Sequence, residues 1–226
     1  MRPLQPLRHT AVALRGGFWG RRLETNREVT LPLVYEQCRR TGRLAAFDLA
    51  WKPGRPRKPH VFWDSDVAKW VEAAAYALAE RRDPRLSRRL ELTVRRIVAA
   101  QGPDGYLNSY FTAVDPAGRW RNLRDNHELY CAGHLIEAGV AHAEATGRPE
   151  LLDAVGRYAD LIGSVFGRGR GKLRGYPGHQ EIELALVRLY RATGNRRHLE
   201  LARYFLDQRG RRPHWFDREA RARGER

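Results

Sequence analysis

The chain has 226 residues, 42% hydrophobic and 10% aromatic with six Trp, enough for a core that takes ~70% of the unfolded surface out of water and so excludes disorder. Gly 21, Pro 12 and two cysteines exclude collagen and a disulfide scaffold. The net charge of +16, pI near 10.7, would suit nucleic acid, but only four of the 42 basic residues are lysine and the arginines lie in scattered pairs such as Arg21–Arg22, Arg88–Arg89 and Arg196–Arg197, a pattern of solvated helix faces from which no nucleic-acid partner is expected.

The N-terminal stretch up to Arg22 is broken by Arg, Pro and Gly, so neither a secretory h-region nor a membrane span is read there. With two cysteines read as reduced, the expected location is cytoplasmic and no membrane partner is expected. A helix of about Leu31 to Arg40 comes first. The next carries Val67, Trp70, Val71, Ala74 and Leu78 on one face, with Asp64 or Ser65 as its cap. Asp83-Pro84 reads as N-cap and N1 of a third helix bearing Leu86, Leu90, Val94 and Ile97. From about Asn126 to Thr146 the residues are apolar or small nearly all round, which predicts a buried helix. Another starts at Pro149 with Leu152, Val155, Tyr158 and Ile162; the last two span about His179 to Thr193 and the residues after Asn195, through Leu199, Ala202 and Phe205. No strand pattern is evident.

Ala145-Thr146-Gly147 recurs as Ala192-Thr193-Gly194, and the register continues, with Leu152 matching Leu199, Tyr158 matching Phe205 and Asp160 matching Asp207. Repeated helix-turn-helix units stack into solenoids or close into rings. Small-residue helices alternating with arginine-faced ones point to inner and outer layers. The expected fold class is therefore all-α, helical hairpins forming part of an (α/α)6 toroid, with about seven helices present.

The inner-type helices begin with polar and aromatic clusters: Phe62-Trp63-Asp64-Ser65-Asp66, Asp125-Asn126-His127-Glu128 and Tyr176-Pro177-Gly178-His179-Gln180-Glu181. Each alone reads as helix capping. Three at equivalent positions converge on one mouth if the inner helices run parallel, framed by the loops Gly102–Asn108 and Gly175–Gly178. Aromatic faces with imidazoles and carboxylates suit a sugar.

His127, Cys131 and His134 share a helix face, but HELYC is not HExxH, so no metal is assigned and His134 reads as a hydrogen-bonded core histidine. The run Phe166–Lys172 lacks the phosphate-loop spacing and reads as a flexible basic turn. For glycoside hydrolysis, which needs two carboxyl groups at fixed separation, Asp64, Asp66, Glu128, Glu181 and Glu183 are available. Nothing in the spacing singles out a pair.

Several long motifs in order carry a resemblance: Phe18-Trp19, Leu31-Pro32, Glu36-Gln37, Arg40-Thr41-Gly42-Arg43, Asp64-Ser65-Asp66-Val67-Ala68-Lys69-Trp70, Asp104-Gly105-Tyr106-Leu107, His127 to His134 and Gly175 to Glu181. Over nearly its whole length the chain resembles glycoside hydrolase family 127, the β-L-arabinofuranosidases. The resemblance implies an (α/α)6 toroid followed by β-sandwich domains, acting with retention on L-arabinofuranose-containing oligosaccharides from plant glycans. It also implies a zinc-bound cysteine thiolate as nucleophile and a glutamate acid/base, in the second half of the toroid. Neither Cys38 nor Cys131 matches those positions. What carries over is sugar binding at His127 and His179, with Gln37 and Asp66 beside them. Residues 1–226 are accordingly expected to be the N-terminal half of a catalytic domain, inactive alone, with zinc belonging to the complete enzyme and none expected on this chain. A carbohydrate-binding or scaffold half-ring, and a subunit completed by a chain that supplies the other half, are the alternatives.

Overall fold

The computed structural model describes residue 7 and residues 9–225; residues 1–6 and 8 of the N-terminal stretch read above lie outside the described residues. Helix α1 (Gly17–Thr25) passes through a π-helical stretch at Asn26–Thr30 into α2 (Leu31–Thr41). Gly42, at φ 92°, ends α2 in the left-handed conformation that glycine adopts without strain, and short α3 (Arg43–Ala46) follows. Then come α4 (Trp63–Glu80), α5 (Pro84–Ala99), α6 (Ser109–Ala113), α7 (Glu128–Thr146), α8 (Glu150–Val165), α9 (Ile182–Thr193), α10 (Arg196–Gln208) and α11 (Trp215–Ala222). Among the described residues the only β pairing is an isolated bridge between Phe166 and Leu173. No helix among them is long and apolar enough to cross a membrane.

The long helices form three hairpins, α4–α5, α7–α8 and α9–α10, with α4, α7 and α9 side by side in one layer and α5, α8 and α10 behind them. Contacts at both ends fix the inner helices as parallel. Phe62 and His179, preceding α4 and α9, each lie beside His127 at the start of α7. Further along, Arg188 of α9 meets Glu137 of α7 and Glu72 of α4. α2 runs the other way against α4: Leu31 accepts the Trp70 indole N–H (2.9 Å) and its C-terminal end reaches Asp66.

α7 is central because its sequence lets it be. At Gly133 a Cβ would stand 2.6 Å from Glu181 Cγ and 2.9 Å from the Ile182 nitrogen. At Gly139 it would stand 2.7 Å from Val155 of α8. These two glycines permit close approach on opposite sides. Around them Leu135, Ile136, Val155, Tyr158, Leu186 and Phe205 are fully buried, each large apolar side chain contributing about 1.5–3 kcal/mol of burial.

The repeat holds atom by atom. Gly147 and Gly194 are left-handed C-caps at φ 71° and 73°. Thr146 and Thr193 each donate to the carbonyl four residues back (2.7 Å) and accept from the nitrogen two residues on. The caps at Asp83 and Asn195 also form as read, Asp83 accepting from Arg85 and Leu86 and Asn195 from Arg197.

Other capping readings are corrected. Asp64 does not cap α4: it is buried and accepts from the Ser109 backbone N–H (2.7 Å) and hydroxyl. Ser65 donates to the Phe62 carbonyl instead of accepting. α7 starts two residues after Asn126, with His127 as its cap residue, and α9 starts at Ile182 rather than His179. The loop through Gly102–Asn108 does not rim the mouth. Its Tyr106, Leu107 and Asn108 are buried, because Asp64 and Glu128 draw that segment in by hydrogen bonds to Ser109 and Tyr106. The basic turn at 166–172 is closed by Leu173 N–H to Val165 (2.8 Å) and Gly167 N–H to Leu173 (3.1 Å).

Candidate functional site

Parallel inner helices bring their N-terminal ends together, and the predicted clusters do converge. The His127 and His179 rings lie 6.2 Å apart, with Tyr130 between them, 5.5 Å from His127 and 4.6 Å from His179. Tyr130 also stands edge-on to His134 at 4.5 Å. Phe62 closes the cluster 6.0 Å from His127, with His60 beside it at 4.2 Å.

His127 is held in an uncommon way. Its backbone is left-handed, φ 55°, a conformation costing a non-glycine residue about 1–2 kcal/mol. Three bonds oppose that cost. Nδ1 lies 2.6 Å from the Asp125 carbonyl, which can only accept, so Nδ1 carries a proton. The adjacent Glu128 is pinned inside by Tyr106 OH and by the Trp120 N–H at 2.8 Å. Burial pushes the Glu128 carboxyl up to about 7, against the lowering effect of those donors. Glu128 is therefore an anchor beneath the histidine.

Gln37 and Asp66 border a neighbouring recess of about 360 Å³ between α2 and α4, with Arg43, Lys69, Cys38 and Trp70. Asp66 accepts from Arg43 Nε at 2.6 Å. Lys69 joins the recess to the histidines: its ammonium donates to Tyr130 OH (2.6 Å) and lies 4.9 Å from the ring centroid. On the far side His134 Nδ1 is 3.1 Å from Glu181 Oε1, close but not aligned as a hydrogen bond. Burial, with the charges of Lys69 and His179, pushes His134 down to about 4, so it is neutral near pH 7. Its side chain is largely buried beside the mouth, but Nδ1 has no hydrogen-bond partner, so it is not the hydrogen-bonded core histidine expected. Burial also raises Glu181.

The four residues predicted from the sequence thus lie in two adjoining groups: His127 and His179 in one, Gln37 and Asp66 in the other. Tyr130 and Lys69, which link them, were missed. Their signal was available, since Tyr130 falls between His127 and His134 on one helix face and Lys69 one turn after Asp66. Of the candidate carboxylates only Asp66 and Glu181 reach this region. Glu183 is buried and bonds the Glu181 N–H (3.2 Å) and Arg209 (3.1 Å).

A groove of about 580 Å³ also runs between α8 and α10, lined by Asp160, Lys172, Arg197, Arg203 and Asp207. Its two aspartates are taken up by arginines, Asp207 pairing with Arg203 and Arg168 and Asp160 with Arg197, and Lys172 donates to the Gly163 carbonyl. Tyr204 and His198 line it too, but the Tyr204 hydroxyl is spent on the Leu173 and Gly175 carbonyls (3.1 Å each) and His198 is buried, so the mouth is the stronger candidate despite its smaller recess.

Zinc does not fit these residues. Among the described residues no three His, Cys, Asp or Glu side chains gather as a metal site. Cys131 is fully buried, donates to the Val61 carbonyl (3.4 Å), and burial holds its thiol well above the ordinary range. Burial raises Cys38 as well. Both are poor sources of thiolate.

A layer of parallel inner helices backed by antiparallel outer ones, with polar and aromatic residues gathered at the inner N-terminal end, defines the class as an α/α hairpin layer with a polar-aromatic mouth. Residues 11–225 match the "Beta-L-arabinofuranosidase, GH127 catalytic domain" family. A curated relative, the non-reducing end beta-L-arabinofuranosidase of Bifidobacterium longum subsp. longum, is 42% identical over 168 residues, 72% of this chain and 25% of its own length. The solved GH127 beta-L-arabinofuranosidase of Geobacillus stearothermophilus T6 superposes with a TM-score of 0.90 at 48% identity, covering 95% of this chain and 35% of that one. A second solved GH127 beta-arabinofuranosidase gives 0.84 at 39%, covering 89% and 33%. The chain belongs to the GH127 catalytic-domain family, and its all-α hairpins are part of that family's toroid. It spans about a quarter of the curated relative's length.

Proposed function

We propose that this chain forms the sugar-binding wall of a β-L-arabinofuranosidase, holding an L-arabinofuranosyl group of an oligosaccharide whose glycosidic bond is hydrolysed with retention. The observation that carries the reading is the His127–Tyr130–His179 cluster, two imidazoles about a phenol at the mouth of parallel inner helices. The names of the relatives supply the sugar.

The residues have defined work. With Nδ1 committed to Asp125, His127 keeps Nε2 for a sugar hydroxyl. Tyr130 accepts from Lys69, which leaves its own proton for a sugar oxygen. The Tyr130 and His179 rings offer faces to the C–H surface of a furanose. Asp66, already bonded by Arg43, has a second oxygen for a hydroxyl, and Gln37 adds an amide. These groups bind and orient. Asp64, Glu128 and Glu183 are committed to structural bonds, and no zinc or nucleophile is assigned to this chain.

Calorimetric titration with methyl β-L-arabinofuranoside tests the reading. His127→Ala and His179→Ala are each expected to weaken binding at least about tenfold, near 1.4 kcal/mol. Binding that survives both substitutions contradicts the proposed wall.

A further inference from the structure

α11 lies far along the chain from the mouth, and its one buried residue is a carboxylate, Glu219. Its Oε1 accepts from the Leu123 backbone N–H (2.9 Å) and the Trp215 indole (3.1 Å). Oε2 accepts from the Arg124 N–H (3.4 Å) and pairs with Arg223 (3.4 Å). A carboxylate suits this place because every neighbour donates. Buried backbone N–H groups left without a partner cost about 1–3 kcal/mol each.

The segment so gripped is the one that sets the mouth. Leu123 and Arg124 lead directly to Asp125, whose carbonyl bonds His127, and to His127 itself. On its other side the Leu123 carbonyl accepts from the Gly178 N–H (2.9 Å), and Gly178 precedes His179. Any Cβ at Gly178 would collide with the Arg124 carbonyl, so the two loops touch backbone to backbone. At Gly175 a Cβ would stand 2.9 Å from the Trp215 ring, so the same helix also backs the second loop. Arg209 holds that loop from beneath, donating to the Pro177 carbonyl (2.8 Å).

We propose that Glu219 is a positioning residue of the sugar site, its carboxylate fixing Leu123–Arg124 so that His127 and His179 face each other across one seam. It touches no substrate; it acts through the two loops. The sugar part of this inference rests on the function proposed above, whereas the geometric part does not.

The experiment uses the 226-residue chain. Imidazole ¹H–¹⁵N spectra of wild type and Glu219→Gln are recorded, with the methyl resonances of Leu135 and Leu186 as a check on the core, and methyl β-L-arabinofuranoside is then titrated. Glutamine presents an amide donor to a set of donors and loses the pair with Arg223. The expected result is that His127 and His179 signals shift or broaden, the core signals hold, and sugar binding weakens about tenfold or more. If the imidazole signals change while wild type binds no sugar, the positioning inference stands and the sugar reading fails. If they do not move while the core is intact, Glu219 is merely structural and the proposal is overturned. Should Glu219→Gln not fold, Trp215→Phe, which removes one donor to Glu219 along with the pyrrole edge that lies against Gly175, is read at His127 alone, where a shift supports the proposal and none overturns it.

Discussion

His127 bears most of the site's strain. Its left-handed backbone would suit glycine, yet imidazole occupies it; strain retained at a mouth is a pointer to function. His127→Gly and His127→Ala both delete the ring, so their difference isolates the backbone. Glycine is expected to be the more stable of the two by about 1 kcal/mol in urea unfolding. An alanine variant as stable as the glycine variant would remove the strain argument. Two buried acids make a separate statement about pH. Burial lifts Glu128 from 4.5 to about 7 and Asp64 from 3.8 to about 6. Each holds its proton in the folded chain where the unfolded chain releases it. Their contribution is thus full below the unfolded values and is lost as pH rises through 6 to 7. His134, His142 and His198, lowered by burial, act in the opposite sense. The readout is therefore a difference: Glu128→Gln should gain stability relative to wild type between pH 5 and pH 8. A constant difference across that range would show that Glu128 titrates as an ordinary carboxyl.

At the scale of elements, the glycines of α7 and α8 make a matched pair of tests. Gly133 lies against α9 with no room for Cβ, so Gly133→Ala should destabilise by about 1–3 kcal/mol. Gly156 of α8 has open space around its Cβ direction, and Gly156→Ala should stabilise by about 0.5–1 kcal/mol. Thermal unfolding of the two variants checks both signs. Periodicity made α2, α4, α5 and α7 to α10 legible because their burial follows a helix period. α1, α3, α6 and α11 were not read. α3 and α6 are one-turn pieces, and α11 is organised about a carboxylate whose partners, Leu123 and Arg124, are remote in sequence. The same limit explains the caps. Asp83 and Asn195 satisfy their own helices, a local matter, whereas Asp64 is claimed by Ser109 from another loop. Of the proposed site, His127, His179, Gln37 and Asp66 could be named from motifs, but the Lys69–Tyr130 bridge that joins them depends on α4 packing beside α7.

Over the whole molecule, three parallel inner helices deliver three loop ends to one mouth, and the outer layer carries much of the arginine surface. Some of the 42 basic side chains are paired across that surface, such as Arg96 with Asp48 and Arg148 with Glu91, and the net +16 is the excess left after the 26 acids are counted. The outer layer also holds the competing groove between α8 and α10. Sugar is proposed to lodge at the inner mouth. Mapping by NMR of where methyl β-L-arabinofuranoside perturbs the chain tests it most directly. Shifts are expected at His127, Tyr130 and His179, extending to Gln37 and Asp66. Shifts confined to Arg197, Arg203 and Tyr204 in the outer groove would contradict it.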